Sequence, residues 1–151
     1  QGIKPLSRFP SEYEEIRMRL KLEINCTEHF NVLNWEDFPF EVNSEGFTGK
    51  AQIRTYKNNE LLGTNLRALY QSSKGRDLFD LDYARKHHEL NYDEIIHCFK
   101  EYTQFSTDKR PPSKKEFLIN LEEKEIDPDF TGEYNQKTAF EWLKHELIER
   151  I

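Results

Sequence analysis

The sequence predicts an α+β fold, a small antiparallel sheet followed by a C-terminal helical bundle, because its strand signals come first and its helix signals second. Two observations carry this. Residues 17–25, RMRLKLEIN, alternate apolar and polar with a period of two. From Asn59 onward apolar residues instead recur at helical spacing, starting with Leu62, Leu66 and Leu69. The expected division is a strand-rich segment over 1–57 and a helical domain over 58–151.

In the first strand, Met18, Leu20, Leu22 and Ile24 face one way and Arg17, Arg19, Lys21, Glu23 and Asn25 the other, which describes a half-buried strand with a charged outer face. Phe38–Val42 and Lys50–Tyr56 are further strands, separated by the turn signal Asn43-Ser44-Glu45-Gly46. Trp35, Phe38 and Phe40 have flat faces on which a base can stack, but aromatic residues between strands are assigned to the core.

The first helix carries Leu62, Leu66 and Leu69 on one face, with Leu61 and Ala68 beside them. Gly63 inside that pattern costs about 1 kcal/mol against alanine, which points to close packing there. Gly75 fits a left-handed C-cap, and Asp77 then falls in the first turn of the next helix, giving a tight helical hairpin. Asn91-x-x-Glu94 and Ser113-x-x-Glu116 have the form of capping boxes and open helices near 92–105 and 114–123, separated by Pro111-Pro112. Beyond Pro128 and Gly132, a last helix carries Phe140, Leu143, Leu147 and Ile151 as one stripe, with Phe140 and Trp142 as packing residues.

A chain of 151 residues buries well over half of its unfolded surface, as one domain or as two small subdomains sharing a core. Its net charge of -6 argues against a globally basic nucleic-acid binder. The stretch from Leu61 to Arg76 nonetheless contains no acidic residue while holding Arg67, Lys74 and Arg76, so it is locally basic. Cys26 and Cys98 lie far apart in unlike contexts, which suggests neither a disulfide framework nor a zinc site and makes the reducing cytoplasm the expected compartment. No apolar run approaches the roughly 18 residues that cross a bilayer, so no membrane anchor is expected. The chain opens on Gln1-Gly2 and its one methionine is Met18, within a strand pattern, so a piece of a longer protein is expected.

Two constellations can carry chemistry. Glu23, between Lys21 and Asn25 on a strand's polar face, is either a solvated charge or a hard oxygen ligand for Mg²⁺. Lys74, Arg76, Asp77 and Asp80 surround a helix start, where free N–H groups and the positive end of the helix dipole attract phosphate. In that arrangement Arg76 contacts phosphate and Asp77 or Asp80 orients a base or receives a proton. The plainer alternative has Asp77 complementing the dipole and Arg76 pairing with Asp80 at i, i+4. His87-His88 lacks the spacing of a helical metal pair and reads as surface. Lys109-Arg110 and Lys114-Lys115 read as a solvated basic loop.

The segment GTNLRALYQSSKGRDLFDL, Gly63–Leu81, resembles the C-terminal motifs of the AbiEii/AbiGii abortive-infection toxins, nucleotidyltransferases of type IV toxin–antitoxin systems. The likeness continues through LKLEIN, HFNVL, PFEVNSEGFTG, IRTY, SKKEFLINLEEK and DPDF. It implies that the sheet is part of a nucleotidyltransferase core. Glu23 would be its catalytic, metal-binding carboxylate, Asn65, Arg67, Lys74 and Arg76 would bind nucleotide, and Asp77 and Asp80 would be catalytic. The implied chemistry is transfer of a nucleotide from an NTP, with Mg²⁺, to an RNA or protein acceptor, in a protein that an antitoxin counters.

Two departures accompany the resemblance. The family usually has lysine where Asn65 stands and often arginine at Ser72-Ser73, and asparagine lacks an ammonium's charge. Nor is there a Gly-Gly or Gly-Ser/Thr turn leading into an Asp-x-Asp strand; Asp127-Pro128-Asp129 lies in a Pro-broken stretch near the C-terminus. With those two carboxylates missing, this chain alone is expected not to transfer nucleotides. The alternative is a non-catalytic helical module that binds an antitoxin or RNA.

Overall fold

The computed structural model describes residues 6–10, 17–21, 30–72, 74–107, 110–123 and 135–151, of which 6–10, 17–21 and 106–107 are described by backbone alone. Glu23, Cys26, the 22–25 end of the expected strand, Lys109 and the Asp127-Pro128-Asp129 stretch lie outside the described residues. The chain divides into two compact units, residues 1–30 and 31–151, and its class is α+β.

In the first unit, β1 (Leu6–Pro10) pairs antiparallel with β2 (Arg17–Lys21), Phe9 standing opposite Met18. The alternating RMRLK segment therefore is a strand, and its partner β1 carried no comparable sequence signal.

The second unit opens with a hairpin of β3 (Trp35–Ser44) and β4 (Phe47–Tyr56), turning at Glu45-Gly46. Both strands run longer than expected. Their register sorts the side chains by face: Asp37 stands opposite Arg54 and Glu41 opposite Lys50, while Phe38 stands opposite Ile53 and Phe40 opposite Ala51. The polar face is held by ion pairs, Asp37–Arg54 at 3.0 Å and Glu41–Lys50 at 2.9 Å. The assignment of these aromatics to the core is corrected: Trp35, Phe38 and Phe40 are 46%, 56% and 47% exposed. The reason lies in the helices: among the described residues, the buried hydrophobic cluster is built from helical side chains without a strand residue.

That core is built by α1 (Asn58–Ser72), α2 (Gly75–His87), α3 (Tyr92–Thr107), α4 (Lys114–Glu123) and α5 (Gln136–Trp142), which continues as a π-helical turn over Leu143–Leu147 and a 3-10 turn over Ile148–Arg150. Leu62, Leu66 and Leu69 are buried as their spacing requires, against Ile95 and Phe99 of α3, Leu78 and Leu81 of α2, and Phe117 of α4. At Gly63, α1 and α3 approach closely. A Cβ there would stand 2.6 Å from Cys98 Cβ and 2.9 Å from the Ile95 carbonyl oxygen.

Three local expectations are revised. Gly75 is the first residue of α2 rather than a left-handed cap; Lys74, with extended backbone (φ -77, ψ 133), precedes the helix. The Ser113 box closes, with Glu116 Oε2 accepting from Ser113 N at 2.7 Å and Arg110 forking onto the same carboxylate at 2.9 and 2.6 Å. The Asn91 box is relayed instead. Asn91 Oδ1 accepts from the Glu94 amide at 3.3 Å, but Glu94 Oε2 accepts from Asn59 Nδ2 at 2.7 Å, and Asn59 Oδ1 accepts from Asn91 N at 3.4 Å. In the C-terminal helix the π turn advances the register, so Ile148 joins Leu143 and Leu147 at 0% exposure while Phe140 and Ile151 are only partly buried.

Glu60 is fully buried at 0% exposure. Its carboxylate accepts from the Val32 amide at 2.7 Å, the Leu33 amide at 2.9 Å and the Tyr102 hydroxyl at 2.7 Å. One side chain thus joins the segment entering β3, the start of α1 and the middle of α3. A charge taken from water is tolerable only with such donors around it.

Glu60→Ala leaves three donors without that acceptor and is expected to lower unfolding free energy by at least about 3 kcal/mol, read from urea midpoints. Gly63→Ala is expected to destabilise by about 1–3 kcal/mol through overpacking against Cys98. An unchanged midpoint would show that α1 and α3 separate freely at this position.

Candidate functional site

A cleft of about 410 Å³ lies between α1 and α2. From α1 it takes Asn58, Leu61, Leu62 and Asn65, one helical face at i, i+3, i+4 and i+7; from α2 it takes Phe79, Asp80, Tyr83 and Ala84; His88 and Leu90 follow from the next connection. Because the hairpin is antiparallel, the cleft occupies the half away from the turn at Lys74. The structure thereby brings together Asn65 and Asp80, residues 15 positions apart from the two halves of the motif segment.

Arg76 is on the Asp80 side of α2, at i-4, about 6 Å nearer the helix start. The spacing 76, 79, 80, 83 forms one stripe, so Arg76 flanks the cleft on the side of the α2 N-terminus. Its guanidinium does not close on Asp80 as an i, i+4 pair; Arg76 Nε lies 3.8 Å from Asp77 Oδ1, with the Arg76 side chain 63% exposed. Asp77 is buried, and its Oδ2 also accepts from the Ser72 hydroxyl at 3.3 Å, linking the end of α1 to the start of α2. Lys74 is exposed at the helix start.

Arg67 is directed elsewhere. Its Nη1 donates to the Tyr102 carbonyl oxygen at 3.3 Å and its guanidinium carbon lies 5.4 Å from the Tyr102 ring centroid, so it ties α1 to α3. Burial raises the Asp80 carboxyl above its ordinary value, the neighbouring Asp77 charge adds to this, and Arg76 opposes both.

Sequence reasoning missed the cleft's aromatic wall, Phe79 and Tyr83, although their place in the stripe with Arg76 and Asp80 was readable. His87 and His88 are exposed at the end of α2 as expected, and the His87 ring stacks on Tyr83 at 4.0 Å. The segment also contains an overlooked Asp-x-Asp, Asp80-Leu81-Asp82. On a strand such a pair shares a face; on a helix, two residues apart, the carboxylates diverge. Asp82 accordingly is buried and bound by Arg85 at 2.7 Å and Lys86 at 2.5 Å, while Asp80 lines the cleft.

The described residues do not fit a magnesium site. Asp77 is bound by Ser72 and Arg76, Asp82 by two cations, and no three His, Cys, Asp or Glu side chains among the described residues converge.

The chain thus joins an α+β fold to a helical hairpin with a cleft between its two helices. The family model of the nucleotidyl transferase AbiEii toxin, type IV TA system, matches residues 3–143. The chain belongs to this family, that of nucleotidyltransferase-type toxins of type IV toxin–antitoxin systems. Neither a curated protein nor a solved structure matches it. Among the described residues, no helix is long and apolar enough to cross a membrane.

Asp80's raised carboxyl is most favourable to folding below the ordinary carboxylate range, and that contribution is lost as pH rises through the raised value. Asp77→Asn removes the like charge and is expected to lower the Asp80 midpoint in a carboxyl NMR titration. A midpoint that stays put would leave burial as the sole cause.

Proposed function

We propose that the seam between α1 and α2 binds the phosphates of an NTP for transfer of a nucleotide to an RNA or protein acceptor. The observation that supports this reading is the convergence of Asn65 and Asp80 on one cleft with Arg76 a turn away, beside the N-terminus of α2. In this reading Lys74, Arg76 and the first free amides of α2 bind phosphate oxygens. Asp77 holds the Arg76 guanidinium in place. Asn65 donates its amide, and Asp80, with its raised carboxyl, orients the reacting group or takes its proton. Arg67 serves as a brace that sets the angle of α1 on α3.

Glu23 is the carboxylate that would hold Mg²⁺ in this reading. The cytoplasm is the compartment that supplies NTP and acceptor, and an antitoxin is the partner that the type IV system implies. One observation favours a second reading, a non-catalytic module for an antitoxin or RNA: Asn65 places no positive charge in the cleft and Arg67 is committed to Tyr102.

Thermal unfolding with each NTP and Mg²⁺ separates the two. At ten times Kd, binding to the folded state adds about 1.4 kcal/mol, a shift of a few degrees. Arg76→Ala is expected to abolish the shift and Asn65→Lys to enlarge it. No shift at millimolar nucleotide would defeat the nucleotide reading and leave the binding module.

A further inference from the structure

Every residue of β3 and β4 is at least partly exposed. A two-stranded hairpin covered on neither face is marginally stable in water, so this one calls for a partner layer. Its polar face is satisfied by the Asp37–Arg54 and Glu41–Lys50 ion pairs. The opposite face is apolar and open: Phe38, Phe40, Phe47 and Ile53 stand on it at 56%, 47%, 65% and 44% exposure. The Phe47 ring lies along this face instead of standing off it, since a Cβ on Gly49 would meet its Cζ at 2.7 Å.

The charge pattern says what covers it. From the row Phe38–Ile53 to the row Ser44–Phe47 this face carries no ionisable group, and its first charge, Glu36, comes one row nearer the helices. A surface that recognises a different protein selects it through charges and polar groups. In a contact between copies about a two-fold axis, each residue near the axis meets its own twin, so a charge there would repel itself. The absence of charge is what a self-contact needs. Phe40 also faces Ala51 across the ladder, so a bulky ring stands beside a shallow place on the same face and two copies can interlock. The area agrees. With an aromatic side chain presenting roughly 150–250 Å², the three phenylalanines expose about 300 Å² per copy. Two such faces, with Ile53, Ala51 and Val42, bury roughly 1,000 Å², the level at which a specific interface begins. Growth along the edge is blunted instead: Pro39 has no N–H, and a proline inside β3 interrupts the free edge against a further strand.

We infer that the face of the β3–β4 hairpin bearing Phe38, Phe40, Phe47 and Ile53 is the contact between two copies of this chain, packed as two layers about 10 Å apart around a two-fold axis. Each hairpin supplies the layer that the other lacks, and the ion-paired faces remain in water. No residue of the α1–α2 seam takes part, so the contact is independent of the nucleotide reading.

Sedimentation equilibrium of the whole chain, from micromolar to millimolar concentration, tests this. The parent is expected to dimerise and to stop at two copies. Phe40→Asp and Phe40→Lys are each expected to weaken the dimer by roughly 100-fold or more, because like charges would be buried together, while helical circular dichroism stays that of the parent. Mixed in equal amounts, the two variants are expected to pair with each other, since the charges at the axis now complement. Ala51→Glu, which removes no apolar group, repeats the test should a Phe40 variant fail to fold, and Gln52→Glu on the reverse face is expected to keep the dimer. A parent that is monomeric at millimolar concentration overturns the inference and leaves the face to a different protein or to another stretch of this chain. A dimer that survives both Phe40→Asp and Ala51→Glu overturns it too, as does a parent that grows past two copies, or a mixture of the Phe40 variants that stays monomeric.

Discussion

The buried carboxylate of Glu60 is the constraint on which the arrangement of the second unit depends. It accepts hydrogen bonds from the Val32 and Leu33 amides and the Tyr102 hydroxyl, each within 2.9 Å. The loop that delivers the chain to β3 is thereby fixed to the first turn of α1 and to α3. An anion in that position excludes other packings, because any rearrangement that removes a donor leaves a charge in an apolar interior. Burial and hydrogen bonding to Glu60 also push the Tyr102 hydroxyl well above its usual range, so it acts as a permanent donor.

From that anchor the cleft follows by geometry. With α1 held against α3 at Gly63 and braced by Arg67 on Tyr102, the opposite face of α1 carries Leu61 and Asn65 toward α2. The Ser72–Asp77 hydrogen bond fixes the hairpin's turn, and Trp142 steadies the far end of α2 through the Arg85 guanidinium 4.9 Å above its ring. Both ends of α2 are tied, so the stripe between them is presented on a rigid element, as a binding constellation needs.

Much of this was legible in the chain. The two-residue period of RMRLK, the Leu62–Leu66–Leu69 spacing and the Ser113 box each point to one local structure, and each is found. Gly63 announced a close approach because glycine inside a helix has a conformational cost that only packing offsets. What local pattern does not encode is partnership. Glu60 sits one place from the apolar stripe, and nothing in its neighbours says that amides 27 and 28 residues earlier will meet it. Phe38 and Phe40 alternate as core residues do, yet pattern cannot say whether a second layer covers the face. At the site, motif resemblance put Asn65 and Asp80 in one set, and helix geometry separates Asp80 from Asp82 and turns Arg67 away. Sequence spacing alone keeps Arg67 beside Asn65 and Asp82 beside Asp80.

The contact at Gly63 also confers a property on Cys98. Its sulfur is sealed at 0% exposure between α1 and α3, and burial, reinforced by the Glu60 charge, pushes the thiol up to about 12. Only a thiolate reacts with alkylating reagents or peroxide. The residue is therefore inert while the two helices touch and becomes reactive once they part, so the labelling rate mapped to this one sulfur is an intrinsic clock for the opening of the bundle.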